Sequence, residues 1–137
     1  MKSAVKAVCV DPKRVHELWG QVAPLIKSAV ERGGISDFAT VEHNVRNGSV
    51  LLWLAWDGTE ICACAATELS GANGKKNCTI VACAGKQRGA WLPLIADLES
   101  YAKAEGCHSM LIFGRRGWER EIANYRVKGI ILEKELN

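Results

Sequence analysis

The stretch from Thr79 to Glu105 constrains the fold of this chain more than any other. An apolar strand, Thr79–Ala84, runs into a small basic turn, Gly85–Ala90, which leads into a helix ending near Glu105. A second apolar strand, Cys107–Phe113, follows that helix. A strand, a crossover of this length and another strand form a parallel pair with a right-handed connection. We therefore predict a parallel strand pair at the centre of the fold.

The turn itself predicts an anion site. A helix that starts directly after a strand places free backbone N–H groups and the positive end of its dipole together. Such a place accepts phosphate, and Lys86 and Arg88 add positive charge. The pyrophosphate of a cofactor is the expected ligand. The structural alternative is that the glycines only form a tight turn.

Two helices are predicted before the central strands. Asp11-Pro12 opens the first, because aspartate caps a helix and proline fits its first position. Apolar residues then recur at helical spacing over Val15–Val30, and Pro24 is expected to break or kink this run. A shorter helix covers roughly Phe38–Arg46.

Three strands in series are predicted to form an antiparallel meander: Val50–Trp56, Glu60–Leu69 and Asn77–Ala84. Asp57-Gly58 is a hairpin signal, and Ser70–Lys76 is expected to be a polar loop.

The remaining elements are a first strand at Val5–Val10, a second basic turn at Gly114–Gly117, a helix at Trp118–Val127 and a last strand at Ile130–Leu136. The order is β-α-α-β-β-β-α-β-α-β. We assign the chain to the α/β class, as one domain over residues 1–137 with a mixed sheet. Basic turns follow both parallel strands, at the carboxyl ends where open α/β sheets bind ligands.

Composition limits the function. The 137 residues are 48% hydrophobic and 24% charged, which suits one globular domain. A net charge of +3 tolerates an anionic ligand but does not indicate nucleic acid as a partner. Without an apolar run long enough for a signal peptide or membrane span, a cytoplasmic location and no membrane partner are expected.

The cysteines are predicted to be small buried hydrophobes in a reducing compartment. They are Cys9, Cys62, Cys64, Cys78, Cys83 and Cys107. Alternation within a strand places Cys62 and Cys64 on one face. Their spacing does not suit zinc, so no metal site is expected. A nucleophilic Cys83 beside the anion turn is the open alternative.

The element order resembles the GNAT fold, that of acetyl-coenzyme A-dependent N-acyltransferases. In sequence the resemblance covers Val81–Ile130. The family's pyrophosphate motif, Q/R-x-x-G-x-G/A, aligns with Lys86, Gly89 and Trp91, of which only Gly89 matches. Leu98–Gly106 resembles the family's L-E-x-x-A-x-x-x-G, and Asn124–Ile130 resembles its L-Y-x-k-x-G-F. The run Gly114–Trp118 is further similar to small GNAT-like proteins encoded by phages and prophages.

The resemblance implies acetyl-CoA as cofactor and a set of site residues. Tyr125 takes the position of the tyrosine that protonates the departing thiolate, and Glu68 is the most suitable general base. The implied cofactor contacts are Val81, Cys83, Gly85, Lys86, Gln87, Arg88, Gly89, Ala90 and Arg115. Structural alternatives stand beside these roles: Tyr125 as core, Glu68 as a solvated charge at a strand end, and His43 or a water as base.

Two functions remain open. The first is transfer of an acyl group from acetyl-CoA to an unknown small-molecule or peptide amine. The alternative is a non-catalytic GNAT-like phage or prophage protein with a structural or host-interaction role. The oligomeric state is open, with a homodimer as one option.

Overall fold

The structure, a computed structural model, describes residues 6–33, 35–72, 74–85, 88–113, 122 and 124–136. Its elements are β1 (Lys6–Cys9), a short 3-10 helix (Pro12–Arg14), α1 (Val15–Gly33), α2 (Phe38–Asn47), β2 (Leu51–Trp56), β3 (Ile61–Ala72), β4 (Lys75–Gly85), α3 (Arg88–Ala104) and β5 (Ser109–Ile112). The five strands form one sheet in sequence order. β1 to β4 pair antiparallel and β4 pairs parallel with β5, which confirms the predicted mixed fold with its crossover.

The first helix runs without a break through Pro24, so the prediction that this residue divides it is wrong. A proline ring meets the carbonyl four residues earlier, and the proline has no N–H to bond it. That residue is Gly20, which is exposed, and a Cβ added there would have no atom within 4 Å. Water can therefore satisfy the unbonded carbonyl, and the ring meets no side chain at position 20.

The hairpin of β3 and β4 is longer than predicted. Ser70 pairs with Asn77 and Gly71 with Lys76, so most of the expected polar loop is strand. A tight turn remains at Gly74, whose φ of 76° favours glycine. The polar composition does not reveal this strand because Ser70, Gly71 and Lys75 are exposed, so the extension needs no apolar side chains.

A β-bulge at Cys62 overturns the expectation that Cys62 and Cys64 share a face. Ala55 pairs with Ala63 and Trp56 with Ile61, so the register shifts by one residue at this point. The extra residue interrupts the alternation of the strand. Cys62 packs against the core beneath α3, whereas Cys64 belongs to the core beneath α1.

The sheet separates two apolar cores. One lies between the sheet and α1 with α2, and the other between the sheet and α3. β3 is buried on both faces, and its central residues 63–66 read Ala-Cys-Ala-Ala. These small side chains let helices pack closely on both sides.

The end of the chain differs from the prediction. Residues 114–121 lie outside the described part, while residues 124–136 form neither helix nor strand. Asn124 has a left-handed φ of 68°, which interrupts the expected helix Trp118–Val127. The predicted strand Ile130–Leu136 is therefore wrong as an element, because no described strand pairs with it. The parallel pair accordingly lies at one edge of the described sheet rather than at its centre.

Candidate functional site

The fourth strand continues well past its parallel neighbour. Its pairs with β5 run from Asn77–Ser109 to Ile80–Ile112, and the last bond is Phe113 N–H to the Ile80 carbonyl, 3.2 Å. Among the described residues, residues 82–85 pair with β3 alone, and Val81 bulges out of that pairing. About half of the backbone polar groups along this stretch point away from β3, as strand geometry requires.

That unpaired edge is not a solvated one. The side chains of Val81, Ala82, Cys83 and Ala84 are all buried. Buried backbone N–H and C=O groups are nearly always bonded to something. The edge of β4 beyond Ile80 is therefore a place where a ligand with polar backbone-like groups could bind. We call Val81–Gly85 the open segment of β4.

A second β-bulge marks where the open segment starts. Thr67 pairs with Ile80 and Ala66 with Ala82, which leaves Val81 without an opposite residue. As a result Val81 and Ala82 both belong to the α1 core, while Ile80 and Cys83 belong to the α3 core. Bulges re-aim backbone groups and are frequent beside active sites.

The third helix begins just beyond the open segment. Gly85 ends β4 and α3 starts at Arg88, so Arg88, Gly89 and Ala90 form its first turn rather than a loop. This is earlier than predicted. A 17-residue helix carries free N–H groups and partial positive charge at this end. The predicted contacts Lys86, Gln87 and Arg115 lie outside the described residues.

Tyr125 lies on the α3 side of the sheet. It packs against the α3 core, and its hydroxyl donates to Glu99 Oε2 at 2.7 Å. Burial raises the pKa of this phenol, and the hydrogen bond and negative charge of Glu99 raise it further. The phenol is therefore neutral at pH 7, with its proton directed at a carboxylate. The sequence argument gave Glu99 no role, although the Leu98–Gly106 motif contains it.

Glu68 lies on the opposite face from Tyr125. Its neighbour Thr67 is buried and accepts a bond from Trp53 Nε1 at 2.9 Å, which fixes Thr67 on the α3 face. Successive strand residues alternate, so Glu68 projects toward the α1 and α2 side. It is partly buried and pairs with Thr79, close before the bulge. The alternative base, His43, is exposed on α2.

The cysteines divide into two groups. Cys64, Cys78 and Cys83 are buried as predicted, whereas Cys62 and Cys107 are only partly buried and Cys9 is exposed, so the prediction is wrong for these three. Burial raises the pKa of the Cys83 thiol to about 12, so it stays protonated at neutral pH. This argues against Cys83 as a nucleophile, because the thiolate is the reactive form. No group of three metal-ligating side chains exists within the described residues.

Known structures share this architecture, although no protein family model and no curated protein matches the sequence. A GNAT-family acetyltransferase from Staphylococcus aureus is similar with a TM-score of 0.69 and 14% identity, covering 99% of this chain and 100% of that one. An aminoglycoside acetyltransferase from an uncultured soil metagenomic sample, solved with trehalose, has a TM-score of 0.72 and 11% identity, with 97% of each chain covered. A predicted acetyltransferase from Clostridium acetobutylicum, solved with acetyl-CoA, has a TM-score of 0.66 and 14% identity, covering 98% of this chain and 96% of that one.

These likenesses extend over nearly the whole chain and define its fold as that of GNAT acetyltransferases. Identities of 11–14% show the fold alone. The narrower resemblance to phage-encoded proteins is not supported by these neighbours. Among the described residues, no helix is long and apolar enough to cross a membrane.

Proposed function

We propose that this protein is an acetyl-CoA-dependent N-acyltransferase. The open segment of β4 carries the proposal. It is a buried strand edge that makes no described pairs with β5, and it ends close to the N-terminus of α3. One elongated ligand could use both features, with amide groups along the strand edge and a diphosphate at the helix. Acetyl-CoA has this sequence of groups, and one neighbour of the same fold was solved with it.

Each end of the cofactor would have its own contacts. Backbone groups of Val81 and Cys83 would bond the pantetheine arm and polarise the thioester carbonyl. Gly85 would keep the strand end clear, and the start of α3 would bind the pyrophosphate with Lys86, Gln87, Arg88, Gly89 and Ala90. Arg115 would add a cation after β5. The roles of the side chains follow from the family resemblance.

The chemical step would join an amine nitrogen to the acetyl carbon and break the carbon–sulfur bond. A base must take a proton from the attacking amine, and the departing thiolate must gain one. Glu68, on the α1 side, is our proposed base. Tyr125, on the α3 side, is our proposed acid. The open segment of β4 lies between these faces, so a thioester bound there would have one group on each side.

The acceptor in this proposal is a small molecule or peptide that carries an amine. A neighbour of this fold is an aminoglycoside acetyltransferase, also solved with sisomicin, so the fold admits small-molecule acceptors such as aminoglycosides. The acceptor of this chain is not assigned beyond an amine.

Cofactor binding is the first test. Acetyl-CoA should raise the melting temperature of the protein, since a ligand of the native state stabilises it. Pantetheine, which lacks the diphosphate, should raise it less. Arg88→Ala should weaken acetyl-CoA binding in calorimetry. Lys75→Ala, which removes one positive charge at the other end of β4, should not. No heat and no shift with millimolar acetyl-CoA would refute the proposal.

A non-catalytic protein of this fold is the second candidate. It is favoured by the bond between Tyr125 and Glu99, in which the proton of the proposed acid is already donated to a carboxylate. A thiol-release assay over a broad amine panel separates the candidates. Release that Tyr125→Phe slows without weakening acetyl-CoA binding supports catalysis. Binding of acetyl-CoA with no release on any amine supports the second candidate.

A further inference from the structure

Thr79, on β4, is a buried threonine whose hydroxyl is unbonded in the part of the chain that the structure describes. Only 4% of the residue is exposed, and its hydroxyl makes no hydrogen bond to any described residue. By contrast, the buried Thr67 accepts a bond from Trp53. A buried polar group without a bond costs free energy, and the great majority of such groups are bonded. An unbonded buried hydroxyl therefore indicates a place where a ligand supplies the missing bond.

A carboxylate lies directly beside this hydroxyl. Thr79 pairs with Glu68 on β3, and opposite residues of an antiparallel pair have Cβ atoms about 4.5–5.5 Å apart. Ile80 belongs to the α3 core, so alternation places Thr79 on the α1 side, where Glu68 also lies. Among the described residues, no cation pairs with Glu68, and the two side chains are not bonded to each other. The two oxygen acceptors could therefore share one donor group placed between them.

This pair of acceptors lies next to the open segment of β4. Val81, the first residue of that segment, follows Thr79 by two positions and packs on the same α1 side, roughly 6.5–7 Å further along the strand. Glu68 and Leu111 flank Thr79 on β3 and β5, and both are only partly buried. The row is therefore open to solvent on each side of Thr79. A thioester bound at the open segment would lie close to both acceptors.

We propose that Thr79 and Glu68 together bind the nitrogen of a primary amine, which rests on the proposed acyl transfer and narrows its acceptor. A neutral primary amine has two N–H donors and one lone pair. When one N–H is bonded to each oxygen, the lone pair is left to attack the acetyl carbon. The nitrogen bonds that carbon, the carbon–sulfur bond breaks with its electron pair on sulfur, and a proton of the nitrogen passes to Glu68. A neutral secondary amine has a single N–H and leaves one acceptor unbonded, which makes it a poor substrate.

Nuclear magnetic resonance of the full chain, with labelled threonine methyl groups, tests the binding without any reaction. Millimolar propylammonium should shift the Thr79 methyl signal in a saturable way. Propyltrimethylammonium has the same charge but no N–H, and it should not shift this signal. The Thr67 methyl should stay in place in both titrations, because that side chain lies on the opposite face of the sheet. Equal shifts of Thr79 with both cations, or no shift with either, would overturn the proposal.

Stability gives a second test, in which Thr67→Val is the matched control for Thr79→Val. Valine keeps the shape of threonine and removes the hydroxyl. Thr79→Val should keep or raise the melting temperature, because the lost hydroxyl has no bond within the described residues. Thr67→Val should lower the melting temperature, because it breaks the bond with Trp53. Equal destabilisation by both changes would show that Thr79 is bonded within the chain, and would overturn the proposal.

Kinetics separates this proposal from the broader one. In a thiol-release assay with propylamine, Thr79→Val should lower kcat/KM about tenfold without weakening acetyl-CoA binding, whereas Thr67→Val should not change it. N-methylpropylamine should react more slowly than propylamine with the wild-type protein. A Thr79→Val variant as active as wild type would overturn the role of Thr79 and leave the transferase proposal standing. A protein that binds no acetyl-CoA would refute the transferase, while a saturable Thr79 shift would still support an amine site.

Discussion

The hydrogen bond between Tyr125 and Glu99 allows a sharp test of the structure. The two oxygens are 2.7 Å apart, and the acceptor is an ionised carboxylate. Bonds to charged groups contribute about 1.5–3 kcal/mol when well shielded. Glu99 is exposed and Tyr125 half-buried, so solvent reduces this toward about 1 kcal/mol. Glu99→Gln keeps an acceptor oxygen but removes the charge, and we expect it to lower the unfolding free energy by about 0.5–1 kcal/mol.

The sign of the pH dependence follows from the raised pKa of Tyr125. A raised folded-state pKa stabilises the protein below the unfolded tyrosine value of about 10. This contribution is lost as pH rises through the folded-state pKa. The difference in stability between wild type and Glu99→Gln should therefore be full at neutral pH and shrink above about pH 10.

Tyrosinate absorbance measures the same effect directly. The chain has two tyrosines, so in a Tyr101→Phe background the titration reports on Tyr125 alone. Glu99→Gln should lower the pKa of Tyr125, whereas Asp97→Asn, an equal loss of charge on an exposed position of the same helix, should leave it nearly unchanged. An unchanged titration in Glu99→Gln would refute the assigned contact.

Three further predictions concern packing and the cysteines. In a double-mutant cycle of Trp53→Phe and Thr67→Val, the unfolding free energies measured in urea should show a coupling of about 0.5–1.5 kcal/mol, because the two side chains share one buried hydrogen bond. Losses of stability that simply add would contradict that bond. Gly48→Ala should lower the unfolding free energy by about 1–2 kcal/mol, because Gly48 has a left-handed φ of 85° at a helix end. Gly20→Ala should raise it by up to about 1 kcal/mol, because alanine favours a helix interior and the added Cβ meets no atom within 4 Å. Thermal unfolding of both variants measures these effects. Cys83→Ala should not change the rate at which the thiol of coenzyme A is released, because burial keeps the Cys83 thiol protonated and unreactive. A folded Cys83→Ala variant that releases no thiol would show that Cys83 is a nucleophile.

Much of the fold could be predicted because hydrophobic periodicity and turn residues are local signals. The meander, the crossover and α2 follow from such signals, and the structure confirms them. The prediction of a break at Pro24 is wrong because a proline is tolerated where the carbonyl four residues earlier faces solvent, and periodicity alone does not show this. The faces of Cys62 and Cys64 were misjudged because a single bulged residue in β3 reverses the alternation.

The candidate site was less predictable because its features depend on pairing between distant segments. The apolar composition of Val81–Ala84 indicates a buried strand. It does not indicate that the pairing of this strand with β5 stops at Ile80. The bond from Tyr125 to Glu99 joins residues 26 positions apart, and no local pattern specifies it. The predicted strand Ile130–Leu136 is absent among the described residues, because alternation in sequence does not supply the neighbouring strand that a strand needs.

The hydrogen bond to Glu99 holds Tyr125 in place but also makes it a weaker acid. Its one proton is already donated to Glu99, so transfer to a thiolate would leave a phenolate beside a carboxylate. Two negative charges this close in a half-buried position repel strongly, and this repulsion is one reason the pKa of Tyr125 is raised. Catalysis by Tyr125 therefore requires the bound cofactor to turn its hydroxyl away from Glu99, or Glu99 to be neutral in the complex. Either change would be absent from a protein that only binds, which is why turnover and binding must be measured separately on the same variants.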